Sequence, residues 1–597
     1  MSGYIGKMLR VNLSARTVKV EPLDLPTARK FIGGRGLGTR IFMDEVSPTV
    51  DALSPENKLI FITGPLTGTS TPTGGRYMVV TKSPLTGTIA SSNSGGYWGP
   101  ELKFAGYDGI IFEGKASSPV YLNISDSVVE IRDASSLWGK VVSETTDILE
   151  KEHGEKVRVV TIGPAGENLS LMAAIMNDKD RAAGRSGVGA VMGSKNLKAV
   201  VVRGTAKVDV ADPEKLKEVF ARCMKKIKDN GVTGQGLPAY GTAVLVNIIN
   251  ENGVLPTNNF QTSQFDKAEQ ISGEELAAKY LTKKDPCYRC PIACGRYCEV
   301  DDVKGGGPEY ETIWAFGSDC GVSDLPAIIK ANFWCNEMGL DTISAGSTLA
   351  AAMELYQRGA IKKEEFEDGP ELTFGNTEAV IEWTKRMGRK GGLGEKMAKG
   401  SYRLCEMYGM PELSMTVKKQ ELPAYDPRGI QGHGLQYATS NRGGCHVRGY
   451  MISPEILGLP EKLDRFTLEG KPLWAKIFQD FTAAIDSSGL CLFTSFAMGA
   501  DDYADLVNAV TGTTLTGNEF ILAGERVWNL EKLFNIKSGV EKDTLPARLL
   551  NDPIQEGPSK GWVHKLDELL PKYYELRGWD SNGIPTEKRL NELGLGG

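Results

Sequence analysis

The chain has 597 residues, 41% hydrophobic and 24% charged, with a formal charge of −6, the make-up of a soluble globular protein with room for several domains. The charge is spread without a basic stripe, which argues against nucleic acid, and no run approaches the roughly 20 apolar residues needed to span a bilayer. The first residues carry no apolar leader and the ten cysteines are unevenly clustered, so a cytoplasmic protein with reduced thiols is expected rather than a secreted disulfide framework.

In chain order, short β-rich runs separated by glycine turns come first: Lys58–Thr63, Tyr77–Thr81, Gly109–Gly114 and Val157–Ile162. From Asp212 the apolar residues recur three and four apart, and Asp212 itself is placed to cap a helix over Pro213–Met224. Further helices are predicted at Thr242–Glu251, Gly273–Tyr280, Ala327–Met338, Ser347–Arg358, Thr377–Gly388, Trp474–Ala484, Asp502–Val510 and Gly517–Phe534, with glycine-rich loops over 427–446 and 486–500. The expected fold class is α+β: a β-rich N-terminal domain over 1–208, then two mainly α-helical domains over 209–413 and 414–597. No period of 20–50 residues recurs, which excludes a solenoid or propeller.

Cys287, Cys290 and Cys294 form a C-x2-C-x3-C run, and Cys491 closes Asp486-Ser-Ser-Gly-Leu-Cys491 far along the chain. Four thiolates so arranged can hold a [4Fe–4S] cluster, one loop wrapping three corners and a distant segment supplying the fourth. The same set could hold structural zinc, or be unrelated buried thiols. The remaining six, Cys223, Cys298, Cys320, Cys335, Cys405 and Cys445, read as small buried hydrophobes. Seventy glycines against 29 prolines suggest close backbone approaches. Three glycine-rich segments, Gly64–Arg76, Ser91–Gly96 and Arg181–Lys195, could lie against phosphates or a flat cofactor, with Arg76, Arg181 and Arg185 supplying charge. Each could equally be a tight turn or sheet crossing, and none matches a Walker A loop or a dinucleotide fingerprint. Of the four histidines, His153 reads as a solvated helix residue, His433 lies in a glycine loop, His446 follows Gly-Gly-Cys, and His564 reads as structural.

Long strings now carry a specific resemblance: Leu53–Ile60, Gly64–Thr69, Pro72–Tyr77, Asn93–Tyr97, Leu102–Asp108, Ile162–Asn168, Gly241–Asn247, Leu422–Gly429 and Asn441–His446. From end to end the chain resembles the tungsten-containing aldehyde:ferredoxin oxidoreductase family. The resemblance implies tungsten held by two metallopterins beside one [4Fe–4S] cluster, and so favours iron–sulfur over zinc for the four cysteines. It implies pterin binding by two D-x-x-G-L-(C/D) motifs. The second is intact, with Asp486 and Leu490 toward pterin and Cys491 toward the cluster. The first reads Asn336-Glu-Met-Gly339-Leu340-Asp341; Asn336 stands where the family has Asp, losing a negative acceptor and gaining an amide donor. Arg76 matches an arginine bridging cluster and pterin. Asn93 and Ala182 match residues whose carbonyls hold, through water, a Mg2+ joining the pterin phosphates, and Gly95, Arg181, Gly184 and Arg185 line the same region.

Glu311 matches the family's active-site glutamate, a general base for water, and His446 the histidine that donates to the substrate oxygen; Tyr310 and Thr342 adjoin them. The implied activity is oxidation of aldehydes to acids, reversible under a strong reductant, with electrons passing through the cluster to ferredoxin, or to ferredoxin-like and flavin-bearing NAD-reducing partner subunits. Tungsten and molybdenum share the pterin, and the sequence leaves both open. Two other readings stand beside it: a reductase of aromatic-ring thioesters, and a non-catalytic electron-transfer or scaffold subunit. Some family members are homodimers bridged by iron through an E-x-x-H motif. Here that stretch is Lys330-Ala-Asn-Phe333, without the ligands, so an iron-bridged homodimer is not expected.

Overall fold

Apolar runs that alternate two faces need cover on both. In the computed structural model, which describes residues 2–540 and 542–596, these runs build two six-stranded sheets. The first holds β1 (Lys7–Asn12), β2 (Thr17–Pro22), β3 (Leu59–Thr63), β4 (Tyr77–Lys82), β5 (Ile89–Ser94) and β6 (Gly109–Glu113), in the order β2-β1-β6-β3-β4-β5. The second holds β7 (Val120–Ser125), β8 (Val128–Asp133), β9 (Arg158–Thr161), β10 (Ile175–Asn177), β11 (Arg181–Ala183) and β12 (Leu197–Arg203), in the order β11-β10-β9-β12-β7-β8. Only the β1–β6 and β7–β12 pairs are parallel.

Leu9, Phe61, Val79 and Phe112 of the first sheet meet Val160, Leu197 and Val200 of the second in one core. One residue along the same strands, Met8, Ile60, Ile62, Val80 and Ile111 face the other way, onto Leu37 and Phe42 of the helix Gly34–Glu45 and onto Phe534, as the period of two requires. Near one end of this sandwich Asn177 ties the sheets together: its amide oxygen accepts from the hydroxyls of Tyr77 (2.9 Å) and Ser94 (2.6 Å), and its amide nitrogen donates to Gly95 O. β5 and β11 each end their sheet, so one side of each is unpaired. Beyond Pro213 the chain is mainly helical around a second, larger core, and the fold is α+β as expected. Among the described residues no helix is long and apolar enough to cross a membrane.

Three segments differ from the predicted elements. The stretch read as a glycine-rich loop over 427–446 contains a buried helix, Gln431–Thr439. A Cβ on Gly434 would lie 2.1 Å from the His564 ring and one on Gly432 2.8 Å from Met451, so these glycines serve close packing rather than chain reversal. The helix predicted at Trp474–Ala484 runs from Lys471 to Ser488, because the hydroxyls of Ser487 and Ser488 bond back to Ala483 O and Ile485 O and leave no polar group stranded. The helix predicted from Ser347 starts at Thr342, capped by Asp341, whose carboxylate accepts from the amides of Ile343 and Ser344.

Candidate active site and cofactor cradle

Asp486 lies in the last turn of the helix Lys471–Ser488, which stops at Gly489 in a left-handed conformation (φ +94°). Its carboxylate gathers donors from distant elements: Arg448 Nη1 at 2.7 Å, Arg35 Nη1 at 3.3 Å and the Asn93 amide at 3.2 Å. Arg35 also makes a two-pronged pair with Glu531, and Arg442 donates to Ser91 O at 2.9 Å. The loop Gly64–Arg76 lies along the motif's end: Leu66 N bonds Ser488 O, Arg76 N bonds Gly489 O, and Cys491 N bonds Thr73 Oγ1.

The guanidinium of Arg76 donates to Cys491 Sγ (3.1 Å) and to Asn93 Oδ1 (3.2 Å). Burial lowers its pKa, but Cys491, Cys287, Cys294 and Cys290 outweigh that and the net direction is up, so all four predicted thiols lie near enough to act on this one side chain. The cysteine loop is seated on the same strands. Tyr288 N bonds Gly96 O, Thr73 N bonds Arg289 O, and a Cβ on Gly95 would come within 2.9 Å of Cys287 Sγ. Burial pushes the Cys290 thiol up to about 11 and drives Cys294 well above the usual thiol range. Among the described residues no three His, Cys, Asp or Glu side chains converge on a point that would hold a single ion.

The first motif ends the helix Leu325–Met338 with Gly339, again left-handed (φ +72°). Leu340 is buried and pairs with Ala173, while Asp341 takes Arg185 Nε at 3.1 Å. Arg185 is held from behind by the carbonyls of Gly444 and Glu421. Gly184 faces Asp341 across 3.9 Å, measured from its would-be Cβ. Ala182 is exposed on the edge strand β11, as Asn93 is half-buried on the edge strand β5. Arg181 is anchored by Asp285 at 2.8 Å. Asn336 is half-buried, and its side chain makes no hydrogen bond among the described residues.

The two predicted catalytic side chains meet. Glu311 sits in the first turn of the helix Tyr310–Phe316, where its Oε2 accepts from Ala424 N at 2.9 Å. Its Oε1 has no partner and lies 3.6 Å from His446 Nε2. Burial pushes the Glu311 carboxyl up to about 8, against the lowering effects of the Ala424 amide and Arg185. Burial also drives His446 well below the usual histidine range, helped by Arg185, His433, Arg442 and Arg448. Both shifts favour the uncharged form, so burial works against the ready carboxylate a general base implies. Thr342 Oγ1 accepts from Thr312 and the Tyr310 hydroxyl donates to Ala424 O, fixing the neighbours.

Several site residues were not singled out from the sequence. Tyr425 and Tyr450 stand around the His446 ring at centroid distances of 6.1 Å each, with Tyr437 4.4 Å from His433. Arg442 and Tyr425 lay inside strings that carried the resemblance, whereas Arg35 and Arg448 had no local signal. His433 joins the site: it is buried at the rings of Tyr425 and Tyr437, both its nitrogens lack partners, and burial takes it down to about 3. His564 is structural, bonded to Gln431 O at 2.8 Å. His153, expected on a solvated face, is half-buried against the Tyr121 ring, its Nε2 3.0 Å from that hydroxyl. At the stretch Lys330–Phe333, Lys330 pairs with Asp301 and Phe333 packs on Trp334.

The comparisons fall on the whole chain. Residues 8–204 match the aldehyde ferredoxin oxidoreductase N-terminal domain, and residues 218–595 match aldehyde ferredoxin oxidoreductase domains 2 and 3. The chain is 57% identical over 601 residues to a tungsten-containing aldehyde ferredoxin oxidoreductase of Pyrococcus furiosus, covering 100% of this chain and 99% of the relative. It is 55% identical over 602 residues to the enzyme of that name from Thermococcus kodakarensis, with the same coverage. Among solved structures it is similar to the active-site complex BamBC of benzoyl coenzyme A reductase, bound to 1,5-dienoyl-CoA, with a TM-score of 0.87 and 28% identity over 100% of this chain and 97% of that one. The chain belongs to the aldehyde ferredoxin oxidoreductase family.

Proposed function

We propose that the chain oxidises aldehydes to carboxylic acids at a tungsten bis-pterin centre and passes the electrons through one [4Fe–4S] cluster to ferredoxin or a ferredoxin-like partner subunit. The observation that carries this reading is the meeting of Glu311 and His446, 3.6 Å apart and with unpartnered atoms, beside a cradle rich in buried arginine. The cradle fits an anionic, phosphate-bearing group: Arg35, Arg185, Arg442 and Arg448 are buried, and among the described residues the carboxylates that form ion pairs with them are Asp341, Asp486 and Glu531, with none paired to Arg442. Asn336, Gly339, Leu340 and Asp341 would hold one pterin and Asp486 with Leu490 the other. The unpaired sheet edges around Asn93, Gly95, Ala182 and Gly184 would take the phosphates and their Mg2+. Soft thiolates at Cys287, Cys290, Cys294 and Cys491 suit an iron–sulfur cluster, the reading that membership of the family favours over zinc.

When bound, the tungsten–pterin group supplies the two-electron acceptor and the cluster a one-electron exit. The residues do the rest. The balance is RCHO + H2O → RCOO⁻ + 3H⁺ + 2e⁻, and one of those protons must leave water as it adds to the carbonyl carbon. Glu311 Oε1, free and aimed toward His446, can take that proton in its ionised form, and a pKa near working pH suits a group that must both accept and release it. Neutral His446 keeps one ring N–H to donate to the substrate oxygen. The rings of Tyr425, Tyr437 and Tyr450 keep bulk water from the pair and offer an apolar wall to the substrate. Reduction of an aromatic-ring thioester is the second reading, favoured by the likeness to the benzoyl coenzyme A reductase complex, but identity to the aldehyde enzymes is twice as high.

The test is anaerobic purification with tungsten and iron counted per chain, then aldehyde-dependent reduction of a viologen dye by wild type and Glu311→Gln. Wild type is expected to carry tungsten with four irons and to gain activity as pH rises through about 8, the direction in which Glu311 ionises. Glu311→Gln should keep its metals and lose at least about 100-fold in rate. A fully metallated wild type inert to aldehydes would overturn the reaction, and an unimpaired variant the role of Glu311.

A further inference from the structure

The cysteine loop is where the four thiols come nearest to solvent: Cys287, Cys290 and Cys294 are half-buried, and Cys491 is buried. Around that loop the surface changes character. On a chain with net charge −6, Lys283, Lys284 and Arg289 are all exposed, and none of the three forms an ion pair among the described residues. Asp285, between them in sequence, is engaged by Arg181, and Glu299 is the exposed carboxylate on the adjoining strand Arg296–Val300. Tyrosines fill the rim. Lys283 Nζ lies 4.7 Å above the Tyr297 ring, Arg289 5.9 Å above Tyr288, and Tyr288 meets Tyr97 edge-on at 6.3 Å. Lysines on the edge strand Leu281–Lys284 also discourage strand pairing, but Arg289 lies outside that strand and has no such duty.

We propose that this basic, tyrosine-lined rim is the docking surface for an acidic one-electron carrier protein, with Lys283, Lys284 and Arg289 as its charge contacts. The proposal rests on the reaction proposed above. Each aldehyde releases two electrons and a one-electron carrier removes one, so two carriers must bind and leave per turnover. Such traffic favours a small, electrostatically steered interface over a tight one. A rim that is basic while the rest of the chain is acidic orients an acidic carrier toward the one loop that leads inward to the thiols.

The experiment compares wild type with the triple variant Lys283→Glu, Lys284→Glu, Arg289→Glu, using benzaldehyde as donor and three acceptors: a viologen dye, an acidic [4Fe–4S] ferredoxin and a basic cytochrome c. The dye rate should be unchanged. The KM for ferredoxin should rise about tenfold or more, and the increase with salt expected of wild type should be absent. The KM for cytochrome c should fall. If the triple variant loses the dye rate, the milder pair Lys283→Gln, Lys284→Gln is read by the same criteria. An unchanged ferredoxin KM and salt response, with the dye rate retained, overturns the docking surface. A metallated wild type that reduces no acceptor from aldehyde overturns the reaction instead, and this proposal falls with it.

Discussion

The two copies of the pterin motif, Asn336–Asp341 and Asp486–Cys491, share their middles and differ at their ends. Both helices stop at a left-handed glycine, Gly339 and Gly489 (φ +72° and +94°), and both following leucines are buried. At the first position the copies part. Asp486 is met by Arg35, Arg448 and the Asn93 amide, whereas Asn336 has no hydrogen-bonding partner among the described residues. At the last position Asp341 caps a helix and takes Arg185, while Cys491 accepts from Arg76. The shared residues set the path of the backbone, and the variable ones follow the charge already in place: a carboxylate where guanidinium groups converge, an amide where none does.

The largest effect that would break this comparison is expected at Asp486. Asp486→Asn keeps the shape and removes the charge, leaving Arg448 without its carboxylate and Arg35 with Glu531 alone. Taking one partner from a buried pair costs about 3–5 kcal/mol. The variant should lose most of its tungsten and inactivate much faster at a fixed temperature, measured by metal analysis and by thermal half-life. Full tungsten occupancy would mean that the arginines answer to the bound group rather than to Asp486.

The glycines test the shared middle. An alanine at either position must hold a left-handed backbone, at a cost of about 1–2 kcal/mol, and meets atoms besides: at Gly489 a Cβ would lie 2.4 Å from Thr67 Oγ1, at Gly339 2.8 Å from Gly163 N. Gly489→Ala and Gly339→Ala should therefore shorten the thermal half-life to a similar degree. Their spectroscopic consequences should differ. Thr67 Oγ1 donates to the carbonyl of Arg76, the residue that touches Cys491, so Gly489→Ala should alter the electron paramagnetic resonance spectrum of the reduced cluster and Gly339→Ala should leave it unchanged. Identical spectra would show that the glycine's place beside Arg76 has no bearing on the cluster.

Much of this was legible in the sequence where a residue type has a single physical use. The β-rich runs Lys58–Thr63 and Tyr77–Thr81 form the strands Leu59–Thr63 and Tyr77–Lys82 within a residue of their patterns. What stayed hidden was long-range. Arg35 and Arg448 reach Asp486 across 451 and 38 residues, and no spacing marks an arginine whose partner is that far along the chain. The helix Gln431–Thr439 was hidden for the opposite reason. Glycines that signal turns when exposed here admit the His564 ring and the Met451 side chain, and burial cannot be read from the residue alone. Glu311 and His446 were legible only through their resemblance, yet their charge states come from burial that only the folded chain supplies.

The smallest effect is expected at Asn336, and it sharpens the comparison most. The site is half-buried, and the Asn336 side chain makes no hydrogen bond or ion pair among the described residues. Asn336→Asp, which restores the acid of the second motif, should therefore add no stability; partial desolvation of an unpaired charge makes a loss of up to about 1 kcal/mol the expected direction. Asn336→Ala removes an amide with no protein partner to strand, so it should leave thermal half-life within about twofold of wild type. Tungsten content then separates two roles. If the amide grips the pterin, Asn336→Ala lowers tungsten while half-life of the metal-free protein stays constant; if it does not, both stay constant. A loss at Asn336→Ala as deep as that at Asp486→Asn would mean that the first position carries the same weight in both motifs, and that charge is not what sets them apart.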